Sequence, residues 1–296
     1  MDGLNIISDM DIFNALTEAV HVLKGCGCAT PRLDAEVLLS ACLKEDRTRF
    51  HIDREQLLAE KDYQEFRRSI ERRRCGEPVA YIVGSKEFWS LPFEVNSHVL
   101  IPRPETEILV EEVLKVCSGL KARNLRILEI GTGSGAISVS LAHELDNAQI
   151  VATDISQDAI NIASRNAQIN NVANQISFLS GNLFEPVSGK FDIIVSNPPY
   201  ISKEEYDRLP TGVRDFEPEL ALLSGADGTS FHREIIKAGS IYLKPGSWIF
   251  IEIGAGQRDR VEYMLNASNL YDNIAFRADY AGIERVSVAR RALTGG

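Results

Sequence analysis

The sequence predicts an α/β protein: an open, mostly parallel sheet with an antiparallel C-terminal end, preceded by a small helical domain. Three observations predict it. From residue 104 onward, short apolar runs alternate with amphipathic stretches, the pattern of strands joined by right-handed helical crossovers. Before residue 77 the apolar residues recur at three- and four-residue steps, the period of a helix face. Near the C-terminus, NIAFRADY and ERVSVARR are strand-like runs joined by Ala281-Gly282, which favours an antiparallel pair.

In chain order, DAEVLLSACL places Ala35, Val37, Leu38, Leu39, Ala41, Cys42 and Leu43 at helical spacing, with Thr30 as a cap and Pro31 in the first turn. FRRSIERRR, with Arg67, Arg68, Arg72, Arg73 and Arg74, reads as the solvated face of another helix in preference to a partner or RNA contact. Residues 77–103 mix strand-like pairs with turn residues, as expected of a hairpin linking two domains. ETEILVEEVLKVC then reads as a helix, RILEIG as a strand, AISVSLAHEL as a helix and QIVATDIS as a strand. DAINIASRNAQIN is helical, QISFLSGN and FDIIVSNPPY are strands, HREIIKAGSIYL is a helix and WIFIEIG a strand. The expected organisation is a helical domain over 1–76, a hairpin linker over 77–103 and an α/β domain over 104–296.

The chain has 296 residues, of which 44% are apolar, enough for a sizeable core. No segment reaches eighteen uninterrupted apolar residues and the N-terminal stretch MDGLNIISDMD is acidic, so a cytoplasmic protein without a membrane span is expected. The five cysteines are scattered, which fits reduced thiols better than a disulfide framework or a zinc site. A net charge of −10 argues against bulk duplex DNA as the main partner, since such proteins gain affinity from Lys and Arg on phosphates. The histidines show no metal-ligand spacing and no Ser-His-Asp or Cys-His arrangement is visible, so neither metal catalysis nor hydrolysis is expected. A monomer is expected.

Two loops carry the chemistry. Glu129-Ile130-Gly131-Thr132-Gly133-Ser134-Gly135 follows the first strand of the α/β domain and opens a helix, so the backbone can turn tightly against a ligand. Gly131, Gly133 and Ala136 also satisfy a dinucleotide fingerprint, with Asp154 about 20 residues on as the group for ribose hydroxyls. A ribose-bearing cofactor suits either reading. S-adenosylmethionine is favoured over NAD because Glu129 suits an amino-acid ammonium and would repel a pyrophosphate. Gly181-Asn182-Leu183 after the third strand could read an adenine with an amide and an apolar flank. The second loop, Asn197-Pro198-Pro199-Tyr200, closes the fourth strand at the same sheet edge. Its prolines hold it stiff and extended, leaving an amide and outward carbonyls as hydrogen-bonding groups.

The order E-x-G-x-G-x-G, Asp after the second strand, G-N-L-F after the third and NPPY after the fourth resembles the class I methyltransferases that modify planar amide or exocyclic amine nitrogens. Three further stretches, YIVGSKEFW with FEV, VLIPRPETE, and EPELAL with GADG, are similar to the release-factor glutamine methyltransferases of the PrmC/HemK type. The likeness extends over nearly the whole chain, helical domain included. It implies a Rossmann-like methyltransferase sheet, S-adenosylmethionine as cofactor, and a glutamine in the Gly-Gly-Gln motif of peptide chain release factors as substrate, with the helical domain docking that protein.

It further implies that Glu129, Gly131, Thr132, Gly133, Ser134, Gly135, Asp154, Asn182, Leu183 and Asn197 bind the cofactor. The family commonly has Asp where this chain has Asn182, so adenine contact there would rely on the Asn182 amide and the Leu183 backbone. By the same resemblance, the Asn197 side-chain oxygen and the Pro198 carbonyl accept the two amide hydrogens of the substrate, with Pro199 and Tyr200 shaping its site. Tyr200 either walls the substrate or packs on the sheet edge, and Arg103 and Glu217 either shape the pocket as a pair or form an ordinary surface ion pair. Two other functions compete: methylation of nucleic-acid exocyclic amines, and a catalytically silent or NAD-binding domain. The acidic charge counts against the first, and the set Glu129, Asp154 and Asn197 against the second.

Overall fold

The structure, a computed structural model, describes residues 7–120 and 124–293, so the first six residues of the acidic N-terminal stretch lie outside it. The chain divides into two compact units, residues 1–84 with 211–216, and residues 85–210 with 217–296.

In the first unit, β1 (Ile7–Asp11) leads into α1 (Ile12–Gly25), whose first turn is capped by Asp11 accepting from the Asn14 N–H at 2.7 Å. Then come α2 (Pro31–Leu43), α3 (Arg49–Ile52), β2 (Leu57–Ala59), α4 (Glu60–Arg74) and α5 (Val79–Val83). Leu16, Leu23, Leu38, Leu39, Phe50 and Phe66 share one buried core. β1 and β2 pair antiparallel. Helical periodicity hides this pair, because a three-residue strand shows too little alternation to be read. Thr30 is the N-cap residue of α2, but its hydroxyl donates to Asp34 Oδ1 at 2.8 Å and caps no backbone N–H. Asp34 also receives Arg73 at 2.7 Å, while Arg72 pairs with Glu77 and Arg74 with Glu71. Much of the arginine run thus serves internal pairing.

The second unit begins inside the expected linker. α5 ends at Val83 with Gly84 as its C-cap, and β3 (Ser85–Phe88) and β4 (Leu91–Glu94) form a hairpin that clusters with the second unit. Its two-residue turn, Trp89-Ser90, has positive φ at both positions, as a type I′ turn requires. Among the side chains that tie the hairpin to this unit, with Asn170 on the Pro92 carbonyl and Arg165 on Glu94, Asn166 is the most buried. This fully buried amide accepts from the Glu94 N–H at 2.7 Å and donates to the carbonyls of Glu94 at 3.0 Å and Ser134 at 2.8 Å.

Thereafter α6 (Thr106–Gly119), β5 (Leu125–Ile130), α7 (Ala136–Glu144), β6 (Ala148–Asp154), α8 (Gln157–Ile169), β7 (Ile176–Ser180) and β8 (Phe191–Ser196) alternate. After the short helices α9 (Lys203–Tyr206) and α10 (Thr211–Arg214), the latter part of the first unit, come α11 (Ser230–Tyr242), β9 (Leu243–Glu252), α12 (Arg258–Ser268), β10 (Tyr271–Ala278) and β11 (Glu284–Arg291). Among the described residues the sheet order is β10-β11-β9-β8-β5-β6-β7, parallel from β9 to β7, with β11 antiparallel to both of its neighbours. Apolar strands such as Ile193-Ile194-Val195 are fully buried, as expected between helix layers. The chain winds outward from β5 to β7 and then returns to lay β8 on the other side. Such a reversal opens a crevice at the carboxyl ends of the strands.

Asn166→Ala would strand the Glu94 and Ser134 backbone groups, at about 1–3 kcal/mol for each buried group left unsatisfied. The urea midpoint of the second unit's unfolding should fall accordingly, and circular dichroism would show it. An unchanged midpoint would mean the amide does not hold the hairpin.

Candidate active site

β5 delivers Glu129 and Ile130 to the sheet edge, and the chain then turns through Gly131, Gly133 and Gly135, all at positive φ. A Cβ on Gly131 or Gly133 would meet nothing within 4 Å, whereas one on Gly135 would lie 3.1 Å from Ala163. The first two therefore leave a cradle for a ligand, and the third lets α7 approach α8. Asp154, at the end of β6, holds this loop by accepting the Gly133 N–H at 2.8 Å, with its other oxygen on the Ser156 N–H at 2.9 Å. Burial raises the Asp154 pKa, and the Ser156 and Gly133 bonds oppose it.

Glu129 is 0% exposed. One carboxylate oxygen accepts from the Thr132 hydroxyl at 2.6 Å; the other, Oε1, has no partner. Burial pushes the pKa up to about 7 against hydrogen bonds from Thr132 and Ser138. A buried carboxylate oxygen without a partner calls for a cation, and an amino-acid ammonium provides both charge and N–H donors. The residues present fit S-adenosylmethionine on two grounds, the orphaned oxygen and the cradle.

A cavity of about 330 Å³ opens here. It is lined by Glu129, Gly131, Thr132, Gly133, Ser134 and Asp154 from the first two strand ends, by Asn182 and Leu183 from the third, and by Asn197, Pro198 and Pro199 from the fourth. Two expected residues are not brought into it. Gly135 lies behind the loop against Ala163, and Tyr200 turns away, its ring against Gly254 and its hydroxyl donating to Glu252 at 3.4 Å. Tyr200 is therefore packed on the sheet edge and is no wall of this cavity. Asn182 is exposed and its backbone N–H donates to Glu185 at 3.3 Å. Leu183 sits at positive φ with its carbonyl accepting from Thr153 at 3.3 Å.

The opposite wall comes from residues 97–103, with Pro218 and Leu220 at the mouth. Glu217 fixes that wall: its 1% exposed carboxylate takes Arg103 at 2.5 Å and the Ile101 N–H at 3.2 Å. The pair is built into the pocket and is not a surface ion pair.

Asn197 donates from Nδ2 to the Thr106 hydroxyl at 3.0 Å. This bond turns the amide so that Oδ1 is the end left for a ligand. Thr106, which lines the cavity and turns this amide, was not anticipated from the sequence.

Two family profiles match the chain: the PrmC N-terminal domain over residues 14–84, and the methyltransferase small domain over residues 104–210. The release factor glutamine methyltransferase of Aliivibrio fischeri is 39% identical over 93% of this chain and 95% of its own length. That of Moorella thermoacetica is 40% identical, over 95% of this chain and 99% of its own. Among solved structures, a methyltransferase from Pyrococcus furiosus matches with a TM-score of 0.52 at 17% identity, over 70% of this chain and 92% of that one, a likeness of fold.

A cation beside Glu129 favours its ionised form, so ligand binding below the carboxyl's pKa of about 7 must release a proton. Calorimetry should show S-adenosylmethionine affinity rising as pH increases through about 7 and levelling above it. Glu129→Gln should bind more weakly and lose that dependence; a variant that keeps both would remove the ammonium from Glu129.

Proposed function

We propose, from the premise that the chain belongs to the release factor glutamine methyltransferase family, that it transfers a methyl group from S-adenosylmethionine to the side-chain amide nitrogen of the glutamine in the release-factor Gly-Gly-Gln motif. The observation that carries this reading is the Asn197 amide, held by Thr106 with its oxygen free at a cavity suited to that cofactor. When bound, the cofactor supplies an electrophilic methyl on a sulfonium.

A glutamine side-chain nitrogen is a weak nucleophile, because its lone pair is delocalised into the carbonyl. The cavity-lining neighbours Ser196, Pro198 and Pro199 in the chain and Thr106 at the amide offer no strong base. The chain offers acceptors instead. Asn197 Oδ1 and the Pro198 carbonyl each take one amide hydrogen, which orients the nitrogen and builds negative potential where positive charge develops. Pro198 and Pro199 keep the two acceptors from relaxing away, since neither has a backbone N–H to rotate into a competing turn. Glu129 takes the cofactor's ammonium, Asp154 its ribose hydroxyls, and the Asn182-Leu183 edge its adenine. The apolar mouth, including the 71% exposed Leu220, excludes water once a peptide loop covers it.

The first unit is assigned to docking the release factor. Its match to the PrmC N-terminal domain profile supports this, as do its exposed apolar side chains Phe13, Ile52 and Leu57. Among the described residues no helix is long and apolar enough to cross a membrane.

The test combines purified protein, isotopically labelled S-adenosylmethionine and full-length release factor, with peptide mass spectrometry to locate the methyl. One methyl on the Gly-Gly-Gln glutamine is expected. Asn197→Ala should fold yet lose about 3 kcal/mol of transition-state stabilisation, roughly a hundredfold in rate. Transfer to nucleic acid and none to release factor would overturn the substrate.

A further inference from the structure

Arg103 is held in the cavity wall by Glu217, and the reading above gives it no ligand. Its Nη2 donates to Glu217 at 2.5 Å, while Nε and Nη1 donate to no other described residue. The Arg103 side chain keeps 33% exposure, against 1% for Glu217. Most of the guanidinium's N–H donors are therefore fixed in place and unengaged. Among the described residues that line the cavity, Arg103 is the one lysine or arginine, and it stands against two carboxylates, Glu129 and Asp154.

The position of Arg103 follows from strand register and two hydrogen bonds. Glu129 lies near the end of β5 and Asn197 just beyond β8, adjacent parallel strands in which Ile130 is opposite Ser196. Asn197 Nδ2 donates to the Thr106 hydroxyl at 3.0 Å, and the Thr106 N–H donates to the Arg103 carbonyl at 3.1 Å. Arg103 thus stands one turn before the residue that holds Asn197, at the end of the cavity to which Glu129 belongs. His98, the other basic side chain of the lining, faces Asp158 of α8 at 3.6 Å, near the end of β6 that carries Asp154.

The glycine loop is not built to take an anion as a phosphate-binding loop does, because four of its N–H groups are engaged internally. Those of Gly131 and Thr132 donate to the Thr153 carbonyl at 2.9 Å, that of Gly133 to Asp154 at 2.8 Å, and that of Gly135 to the Thr132 carbonyl at 2.8 Å. S-adenosylmethionine carries one anionic group, the carboxylate on the same carbon as its ammonium. We propose that Arg103 binds this carboxylate, so that Glu129 and Arg103 hold the cofactor's amino-acid end by its two opposite charges. A guanidinium edge matches the two oxygens of a carboxylate, and Glu217 fixes its direction before the cofactor arrives. Holding both charged groups restricts where the sulfonium methyl lies relative to Asn197. The competing donors are uncharged, the N–H groups of Ser134 and of the first turn of α7.

This inference rests on S-adenosylmethionine being the cofactor. It is tested by calorimetry above the Glu129 pKa of about 7, so that Glu129 is ionised throughout. The ligands are S-adenosylmethionine, its decarboxylated analogue with hydrogen in place of the carboxylate, and 5′-methylthioadenosine, which lacks the amino-acid end. The proteins are the wild type, Arg103→Gln, which keeps an N–H donor for Glu217, and Arg103→Lys, which keeps the charge without the planar fork. Arg103→Gln should bind S-adenosylmethionine roughly 10- to 100-fold more weakly, the range for a hydrogen bond to a charged group, and bind the other two ligands as the wild type does. Arg103→Lys should recover part of the loss. The wild type should discriminate against the decarboxylated analogue by a similar factor. Equal losses for S-adenosylmethionine and the decarboxylated analogue would overturn the inference, as would no loss at all, which would leave the carboxylate to the α7 N–H groups. Loss of all three ligands alike would also overturn it, confining Arg103 to holding the wall. A wild type that binds none of the three would instead overturn the cofactor reading.

Discussion

The site depends on the register between β5 and β8. The two strands run parallel with Glu129 opposite Val195 and Ile130 opposite Ser196, and the Ser196 hydroxyl donates to the Ile130 carbonyl at 2.7 Å. The loops that follow them, one glycine-rich and one proline-rich, therefore start level with each other at one edge. A slip of one residue would turn every side chain of β8 to the other face of the sheet. It would carry Asn197 away from Thr106 as well. Burial on both faces prevents such a slip, because it locks Ile193, Ile194 and Val195 into the core.

Around that edge, carboxylates removed from water are treated in different ways. Glu217 is fully engaged, with a guanidinium on one oxygen and a backbone N–H on the other, and it holds a wall in place. Asp154 spends both oxygens on backbone N–H groups and organises the glycine loop before any ligand arrives. Glu129 and Glu252 each keep one oxygen without a partner, and burial raises both pKa values. A stability-optimised core would not retain two such groups. Of the two, Glu129 lines the cavity, where its open oxygen can meet a ligand's cation.

Much of this was legible in the sequence, and what was not has identifiable causes. Alternating apolar runs disclosed the parallel sheet, and Ala281-Gly282 its antiparallel end, because those signals are local. The glycines and NPPY were legible because few other residues allow such backbones. Tyr200 was ambiguous because its direction is set by Gly254 and Glu252, which lie far along the chain. Thr106 stood in a quoted motif, but a hydroxyl has no role until its partner is known, and Asn197 is 91 residues away. The hairpin looked like a linker because residues that bind it lie far along the chain, Asn166 being 72 positions downstream of Glu94.

The return of residues 211–216 to the first unit has a consequence for biogenesis. The N-terminal unit is not encoded as one continuous stretch, since its final segment follows most of the catalytic sheet. A nascent chain that has emerged as far as residue 84 carries α1 to α5 but not α10. At ordinary elongation rates the missing segment arrives on the order of ten seconds later. By then β5 to β8 have been synthesised, so the N-terminal unit can be completed only in the presence of the nascent catalytic sheet. A gene break after residue 84 would leave the N-terminal half without its closing segment and the C-terminal half carrying six residues that belong to the other unit.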